Sequence, residues 1–357
     1  MNKSSTKRIL VTPLDWGLGH ATRCIPIIRA LKKRNAEVFI ASSGRALVLL
    51  REEFPELISF ELTAYNVHYS RSLPFSLSLF LQIPKYLRTI KREHAQVEQI
   101  VRQHKIDLII SDNRFGCWSA EVPSVFITHQ VNLQMPGSLK WTELLINRLN
   151  LNWIRKFNHC WIPDELENPI TGKLSDSKSV NGRYIGMLSR FRKGIEVNKK
   201  YELLILLSGP EPQRTVLEEK LLKQLKDFSD QVFFVRGLPG EIDLPVSEKI
   251  NLYFANHLPS DELNKVIEES ELIICRSGYS TIMDFSRLAK KAIFIPTPGQ
   301  TEQEYLADEL KKRKIAFCAG QDNFNLNQAL KLSMAYTGFL ESDGNDLLDK
   351  ALDQLGV

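Results

Sequence analysis

His20 is the side chain in this sequence best suited to moving a proton. It ends the glycine-rich loop of residues 15–20, which follows the first apolar strand and leads into a helix. Imidazole has an unperturbed pKa of about 6.5, so it can take a proton from a hydroxyl group at neutral pH. A histidine base is usually oriented by a carboxylate on its second ring nitrogen. Asp112, at the end of a nearby predicted strand, is the first candidate for that carboxylate, and Asp15 is the second. The alternative is a helix-start histidine bonded only to backbone.

A second group of polar residues lies between Glu271 and Asp308, where strands and helices alternate. The apolar run 272–275 predicts a strand buried on both faces, and Gly278 permits a tight turn into a helix near Tyr279. The N-terminus of that helix would offer free N–H groups and a positive dipole end, which suit a diphosphate. Asp284, about two turns along, could accept hydrogen bonds from ribose hydroxyl groups. After the next strand, a Pro/Gly-rich loop leads to Gln300, Gln303 and Glu304.

This second stretch resembles the carboxyl-terminal signature of the GT-B glycosyltransferases of family 28. That branch contains the bacterial enzyme that adds N-acetylglucosamine to the lipid-linked peptidoglycan precursor. The matching features are Cys275-Arg276-Ser277-Gly278, a carboxylate seven residues after Ser277, and a loop starting at Pro296 that leads to paired polar residues. The resemblance implies a UDP-sugar site. Asp284 replaces the usual Glu and Glu304 replaces the second Gln, so the donor sugar stays open.

The resemblance also implies roles for residues outside that stretch. Ala255 would lie against the uracil base, and the loop that begins at Ser208 would touch the diphosphate, with Arg190 or Arg214 helping the leaving group. In the first half, Gly17 and Gly19 would form the acceptor-side loop that ends in His20. The predicted donor site therefore comprises Ser208, Arg214, Ala255, Arg276, Ser277, Gly278, Thr281, Asp284, Gln300, Gln303 and Glu304.

Both halves of the chain repeat the order strand, small-residue loop, helix, strand, which is a βαβ unit of parallel sheet. At 357 residues the chain is long for one core. We predict an α/β protein of GT-B architecture, with two Rossmann-like parallel-sheet domains facing across a cleft. The acceptor domain is placed at residues 1–190 and the donor domain at 191–357, with the last helix packing back on the first domain. A dehydrogenase is rejected, because the first loop lacks a third glycine and no acidic residue ends the second strand.

Composition narrows the class of protein. A net charge of +5 with 43% hydrophobic residues describes an ordinary globular chain, and no nucleic-acid-binding motif accompanies the charge. Five scattered cysteines without a C-x-x-C pair predict reduced thiols rather than disulfides or zinc. No D-x-D cluster ends a strand, so no metal is predicted, and no cofactor is expected because the nucleotide-sugar is a substrate. The sequence shows neither a signal peptide nor a spanning segment, which predicts a cytoplasmic protein.

Two stretches of the first half combine apolar and basic residues. Residues 65–92 have an apolar centre with basic flanks, and residues 139–161 mix tryptophans with Lys and Arg. This composition is typical of segments that dock on anionic lipid, although a core helix with a solvated basic face is the alternative. We therefore expect contact with the inner face of the plasma membrane and a lipid-linked acceptor.

The predicted function is an inverting sugar transfer from a UDP-sugar, similar to UDP-N-acetylglucosamine, to an acceptor hydroxyl group. His20 would act as the base and Asp112 would orient it. A UDP-sugar 2-epimerase is one alternative, and a noncatalytic nucleotide-sugar-binding subunit of a membrane glycosyltransferase is another. The acceptor and the oligomeric state stay open.

Overall fold

The computed structural model describes residues 6–16, 18–65, 83–135, 137–167, 169–194, 197–238, 240, 243–245, 250–340 and 345–357. The chain divides into two compact units, Met1–Leu188 with Asp343–Val357 and Ser189–Ser342. Each unit is built on one parallel sheet, which confirms the predicted α/β class. Gly17 and residues 66–82 of the first apolar-basic stretch lie outside the described residues.

The N-terminal unit has a seven-stranded sheet in the order β3-β2-β1-β4-β5-β6-β7. Its strands are β1 Arg8–Pro13, β2 Glu37–Ser42, β3 Ile58–Glu61, β4 Leu108–Asp112, β5 Ser124–Ile127, β6 His159–Ile162 and β7 Gly182–Tyr184. Its helices are α1 Gly19–Lys33, α2 Gly44–Glu53, α3 Ile83–His104 and α4 Glu143–Ile154, with short 3-10 helices at Gly137–Thr142, Gly172–Ser175 and Ser177–Ser179.

The crevice of this unit follows from its strand order. β1 and β4 are parallel neighbours with Pro13 opposite Asp112, while β2 and β3 extend the sheet on the other side of β1. Loops that leave β1 and β4 therefore diverge at the carboxyl edge, which is where open α/β sheets bind ligands. Ile9 and Val11 of β1 and Ile110 of β4 are fully buried in the core beneath, so apolar packing fixes the register of these strands.

The C-terminal unit repeats the plan with six strands in the order β10-β9-β8-β11-β12-β13. The strands are β8 Tyr201–Leu206, β9 Val232–Val235, β10 Leu252–Ala255, β11 Ser270–Cys275, β12 Ala292–Phe294 and β13 Phe317–Cys318. The helices are α5 Gln213–Gln224, α6 Ser260–Glu268, α7 Tyr279–Arg287, α8 Thr301–Lys312 and α9 Leu326–Ser333, with a 3-10 turn at Leu225–Asp227. Here β8 and β11 are the central neighbours, with Leu206 opposite Cys275.

The last helix, α10 Asn345–Gln354, belongs to the N-terminal unit. Leu348, Ala351 and Leu352 join the core that lies under α1. Arg34 at the end of α1 pairs with Asp349 at 2.7 Å and Asp353 at 2.5 Å. The chain therefore leaves the N-terminal unit, builds the C-terminal unit and returns.

The second apolar-basic stretch separates into a buried and an exposed part. Trp161 is 2% exposed and Phe157 is 7% exposed, so both belong to the core rather than to an interfacial belt. Trp141 and Leu144, by contrast, are 79% and 87% exposed. No helix within the described ranges is long and apolar enough to cross a membrane.

Candidate active site

His20 and Asp112 lie together at the carboxyl edge of the N-terminal sheet. His20 sits in the first turn of α1 and Asp112 is the last residue of β4, so the pairing of β1 with β4 brings them into contact. His20 Nδ1 is 3.0 Å from Asp112 Oδ1. The histidine side chain keeps 15% exposure whereas the carboxylate has none. This is the geometry of a histidine whose ring is oriented by a carboxylate.

Arg23 and His129 complete this cluster, and the sequence analysis assigned neither to it. Arg23 is buried and donates to both carboxylate oxygens of Asp112. Its Nη2 lies 2.8 Å from His20 Nδ1 and its Nη1 lies 3.0 Å from His129 Nδ1. Residues three apart share a helix face, so the spacing of His20 and Arg23 could have predicted their contact. His129 follows β5, the neighbour of β4, and reaches the same edge.

The electrostatics of the cluster keep Asp112 ionised and His20 neutral. Burial raises the pKa of Asp112, but Arg23 and then His20 outweigh it and lower that pKa to about 2. Burial lowers the pKa of His20, the Arg23 charge lowers it further, and Asp112 opposes both. A neutral imidazole beside a carboxylate is the form that can accept a proton.

The other predicted residues of this edge have different environments. Asp15, the second candidate for the orienting carboxylate, accepts hydrogen bonds instead from Ser43 Oγ at 2.8 Å and from the Tyr65 backbone N–H at 3.3 Å. Gly19 is the first residue of α1, and its carbonyl accepts from Thr22 Oγ1 at 3.0 Å. Gly17 lies outside the described residues.

In the C-terminal unit, α7 begins at the end of β11 as the sequence predicts. Gly278 is its N-cap in an extended conformation, and as a glycine it supplies no side-chain cap. Thr281 follows in that turn and is half-buried. Ser277 is buried, and its Oγ donates to the Gln303 carbonyl at 2.8 Å, which ties the end of β11 to α8. The N-terminal N–H groups of α7 can receive an anion.

Arg276 is a buried cation that contacts only neutral oxygens. It is 1% exposed. Its Nη1 donates to the carbonyls of Ile295 and Pro296, both at 3.2 Å, and its Nη2 donates to the Gln213 carbonyl at 2.8 Å and to Gln321 Oε1 at 2.6 Å. Burial lowers its pKa to about 10, so it stays charged at neutral pH. Arg276 therefore joins three loops at this edge and adds a positive charge that pairs with no carboxylate among the described residues.

The polar residues of α8 fold back on the Pro/Gly-rich loop. Gln303 Oε1 accepts from the Thr297 N–H and Glu304 Oε1 accepts from the Gly299 N–H, both at 2.9 Å. Gln303 Nε2 donates to Gln300 Oε1. Gln300, Gln303 and Glu304 thus lie together at the Pro/Gly-rich loop, and their hydrogen bonds hold its conformation.

Asp284 has the most perturbed carboxylate of this unit among the described residues. Ser189 Oγ donates to Asp284 Oδ1 at 2.5 Å. Burial raises the pKa of Asp284 to about 6, against the opposing effects of Arg190 and of the Ser189 hydrogen bond. At neutral pH the group is ionised and able to accept further hydrogen bonds.

Three further residues of the predicted donor site, Arg214, Ser208 and Ala255, have surroundings of different kinds. Arg214 is 5% exposed and is paired with Glu211 at 2.5 Å and with Glu218, so its charge is already compensated. Ser208 is exposed in the loop after β8. Ala255 ends β10, and its carbonyl accepts from the Arg236 N–H at 2.9 Å.

The positions of the acidic, His and Cys side chains bear on metal and thiol chemistry in the part of the chain that the structure describes. No three His, Cys, Asp or Glu side chains cluster there as a metal site requires. All five cysteines are buried and free of disulfides.

Known proteins share both the family signature and the fold. Residues 213–341 match the glycosyltransferase family 28 C-terminal domain. The UDP-N-acetylglucosamine–N-acetylmuramyl-(pentapeptide) pyrophosphoryl-undecaprenol N-acetylglucosamine transferase of Glaesserella parasuis is 27% identical over 340 residues, which cover 91% of this chain and 88% of that protein. Among solved structures, the glycotransferase of kitacinnamycin superposes with a TM-score of 0.67 over 98% of both chains at 13% identity. MurG of Acinetobacter baumannii gives a TM-score of 0.55 at 14% identity, covering 98% of this chain and 94% of that one.

The two parallel-sheet units, the matched domain and these likenesses agree with one another and confirm the predicted resemblance. The chain is a glycosyltransferase of the GT-B architecture, and its residues 213–341 are similar to the C-terminal domain of the family 28 enzymes.

Proposed function

We propose that the protein transfers a sugar from a UDP-sugar, similar to UDP-N-acetylglucosamine, to an acceptor hydroxyl group with inversion at the anomeric carbon. The contact that carries this proposal is the one between His20 Nδ1 and Asp112 Oδ1, at 3.0 Å. A ring held in this way has its second nitrogen available for the proton of the acceptor.

In the proposed reaction, the acceptor oxygen attacks the anomeric carbon while His20 takes the hydroxyl proton. The bond from that carbon to the diphosphate oxygen breaks, and its electron pair leaves with UDP. The α7 N-terminus at Gly278 and the buried charge of Arg276 would stabilise the departing diphosphate. Asp284 would accept hydrogen bonds from the ribose.

UDP release from UDP-N-acetylglucosamine, with membrane lipid extract as the source of acceptor, tests the base. We expect His20→Gln to lower kcat by about 100-fold or more, the usual contribution of a general base. His159→Gln is the matched control, because His159 is exposed at the start of β6. Transfer at the wild-type rate by His20→Gln would refute the assignment. The configuration of the new glycosidic bond, measured by NMR, decides between inversion and retention.

We also propose that the acceptor is lipid-linked and that α4 docks on the membrane. Leu144, Leu145 and Leu149 of this helix are 87%, 62% and 52% exposed, and Trp141 precedes them. Exposed basic residues surround this apolar face, namely Lys140, Arg148, Arg155 and Lys156. Apolar insertion beside basic side chains suits an anionic bilayer.

Cosedimentation with vesicles of phosphatidylglycerol and of phosphatidylcholine tests the docking. We expect binding to the anionic vesicles only, and we expect Leu144→Ser with Leu145→Ser to abolish it. Leu332→Ser is the control, because Leu332 is also exposed but lies on α9. If the Leu144→Ser, Leu145→Ser variant and the Leu332→Ser control bind the anionic vesicles equally well, α4 is not part of the membrane-binding surface.

A further inference from the structure

Arg23 lies between the carboxylate and the two imidazole rings of the His20 cluster. It is 2% exposed, its Nε donates to Asp112, and its Nη1 and Nη2 lie within hydrogen-bond distance of Nδ1 of His129 and of His20. A guanidinium group has only donors and is charged at every accessible pH. A ring nitrogen that accepts a hydrogen bond from Arg23 must therefore carry a lone pair and no hydrogen.

This requirement fixes the state of His129. Its Nδ1 lies 3.0 Å from Arg23 Nη1, and the ring is 4% exposed. An Nδ1 that accepts from Arg23 carries a lone pair, which places the ring hydrogen of His129 on Nε2. This tautomer is assigned because the guanidinium group of Arg23 can donate hydrogen bonds but cannot accept them.

The same requirement creates a competition at His20. Its Nδ1 lies 2.8 Å from Arg23 Nη2, which needs a lone pair there, and 3.0 Å from Asp112 Oδ1, which needs a hydrogen there. A base that uses Nε2 must carry its hydrogen on Nδ1, facing Asp112. Arg23 Nη2 also donates to Asp112 Oδ1, so its hydrogen is satisfied in that state as well.

We infer that Arg23 is a positioning residue of the transfer reaction, acting through its fork on Asp112 and its contact with His20 to keep His20 a neutral base. The inference rests on the proposed role of His20. A carboxylate alone would hold a proton on the ring, because an opposite charge favours the ionised imidazolium. Arg23 cancels that charge at contact distance while leaving the carboxylate in place to orient the ring.

The groups that face His20 come from three elements. Arg23 and Cys24 belong to α1, Asp112 ends β4, and His129 follows β5. The Cys24 thiol contacts Asp112 Oδ2 at 3.8 Å, and burial raises its pKa well above the ordinary value, so it adds no charge. Arg23 and Asp112 are thus the two permanent charges of the cluster. The lowered pKa of His20 agrees with this balance.

NMR titration of the histidine rings tests the inference without any acceptor. In the wild type we expect His129 to show the Nε2–H tautomer. Arg23→Gln removes the charge, so we expect the pKa of His20 to rise by about one unit or more. Arg23→Lys keeps the charge but not the fork, so we expect a pKa near that of the wild type together with a loss of kcat. Arg29→Gln is the control, because Arg29 lies on the same helix and pairs with Glu53 instead.

The acid limb of the pH profile of kcat/KM should move with the pKa of His20 in Arg23→Gln. An unchanged His20 pKa in that variant, or an Nδ1–H tautomer of His129 in the wild type, would overturn the inference. The tautomer of His129 is measured on the wild-type protein, so this test of the inference still works if Arg23→Gln does not fold. The proposed function would fail by a different result. In that case His20→Gln would transfer sugar at the wild-type rate, while Arg23→Gln would still raise the pKa of His20.

Discussion

Asp284 gives a quantitative test of the donor site, because its protonation should control how tightly a UDP-sugar binds. Burial raises its pKa to about 6, and the ionised form is the stronger acceptor of hydrogen bonds from ribose hydroxyl groups. At pH 8 nearly all of the protein carries the carboxylate, whereas at pH 5 only about one molecule in ten does. The dissociation constant should therefore rise about tenfold between pH 8 and pH 5, a loss of about 1.4 kcal/mol.

The assay is calorimetric titration with UDP-N-acetylglucosamine rather than UDP, because the diphosphate diester of the sugar nucleotide does not titrate in this range. The control is Asp284→Asn, which keeps the size of the side chain and its bond from Ser189 but cannot ionise. We expect this variant to bind weakly and with an affinity independent of pH between 5 and 8. A wild-type affinity that changes less than twofold, or a variant that retains the wild-type dependence, would refute the reasoning.

Three predictions concern stability. Burial raises the pKa of Asp284 from 3.8 to about 6. An acid whose pKa is higher in the folded state makes the protein less stable as the pH rises from about 4 to about 6. Asp284→Asn should therefore stabilise the protein at pH 7.5 by up to about 3 kcal/mol, seen as a higher Tm. Arg276→Met leaves four oxygens, two in buried and two in part-buried hydrogen bonds, without their donor and should cost about 2 to 4 kcal/mol in denaturant unfolding of the C-terminal unit. An unchanged midpoint would mean that water replaces the guanidinium. Leu352→Ala empties a fully buried site on α10 and should cost about 2 to 4 kcal/mol in the N-terminal unit, with Leu340→Ala, an exposed position, as the neutral control.

The parts of the fold that the sequence predicts are those that depend on local pattern. Apolar runs followed by small residues and a helix appear twice, and both become parallel sheets with their loops at the carboxyl edge. The sequence predicts the contact of His20 with Asp112 because His20 begins the helix after β1, Asp112 ends β4, and the strand ends of a parallel sheet meet at one edge. The strand order, in which β4 lies directly beside β1, comes from the structure and was not predicted.

Contacts made by long side chains were harder to predict. The sequence analysis assigned Arg214 to phosphate, yet it pairs with Glu211 and Glu218 at helical spacings that were visible in the sequence. Arg276 was also assigned to the donor, whereas its direct contacts are carbonyl and amide oxygens of neighbouring loops. The sequence pattern does not reveal in which direction such a flexible side chain points, because its direction depends on the loops that surround it.

The aromatic residues of the stretch 139–161 show a similar limit. Composition alone grouped Trp141 with Trp161, although one is 79% exposed and the other 2%. Trp161 lies in β6 and packs in the core beneath α1, so its burial follows from strand pairing rather than from its neighbours in sequence.

The return of α10 to the N-terminal unit has a consequence for biosynthesis. Leu348, Ala351 and Leu352 fill the core under α1, yet they are translated after the whole of the C-terminal unit. The face of α1 that they cover must wait for them while about 150 residues emerge from the ribosome, at 5–20 residues per second. During those seconds the nascent chain exposes the apolar surface that α10 later covers.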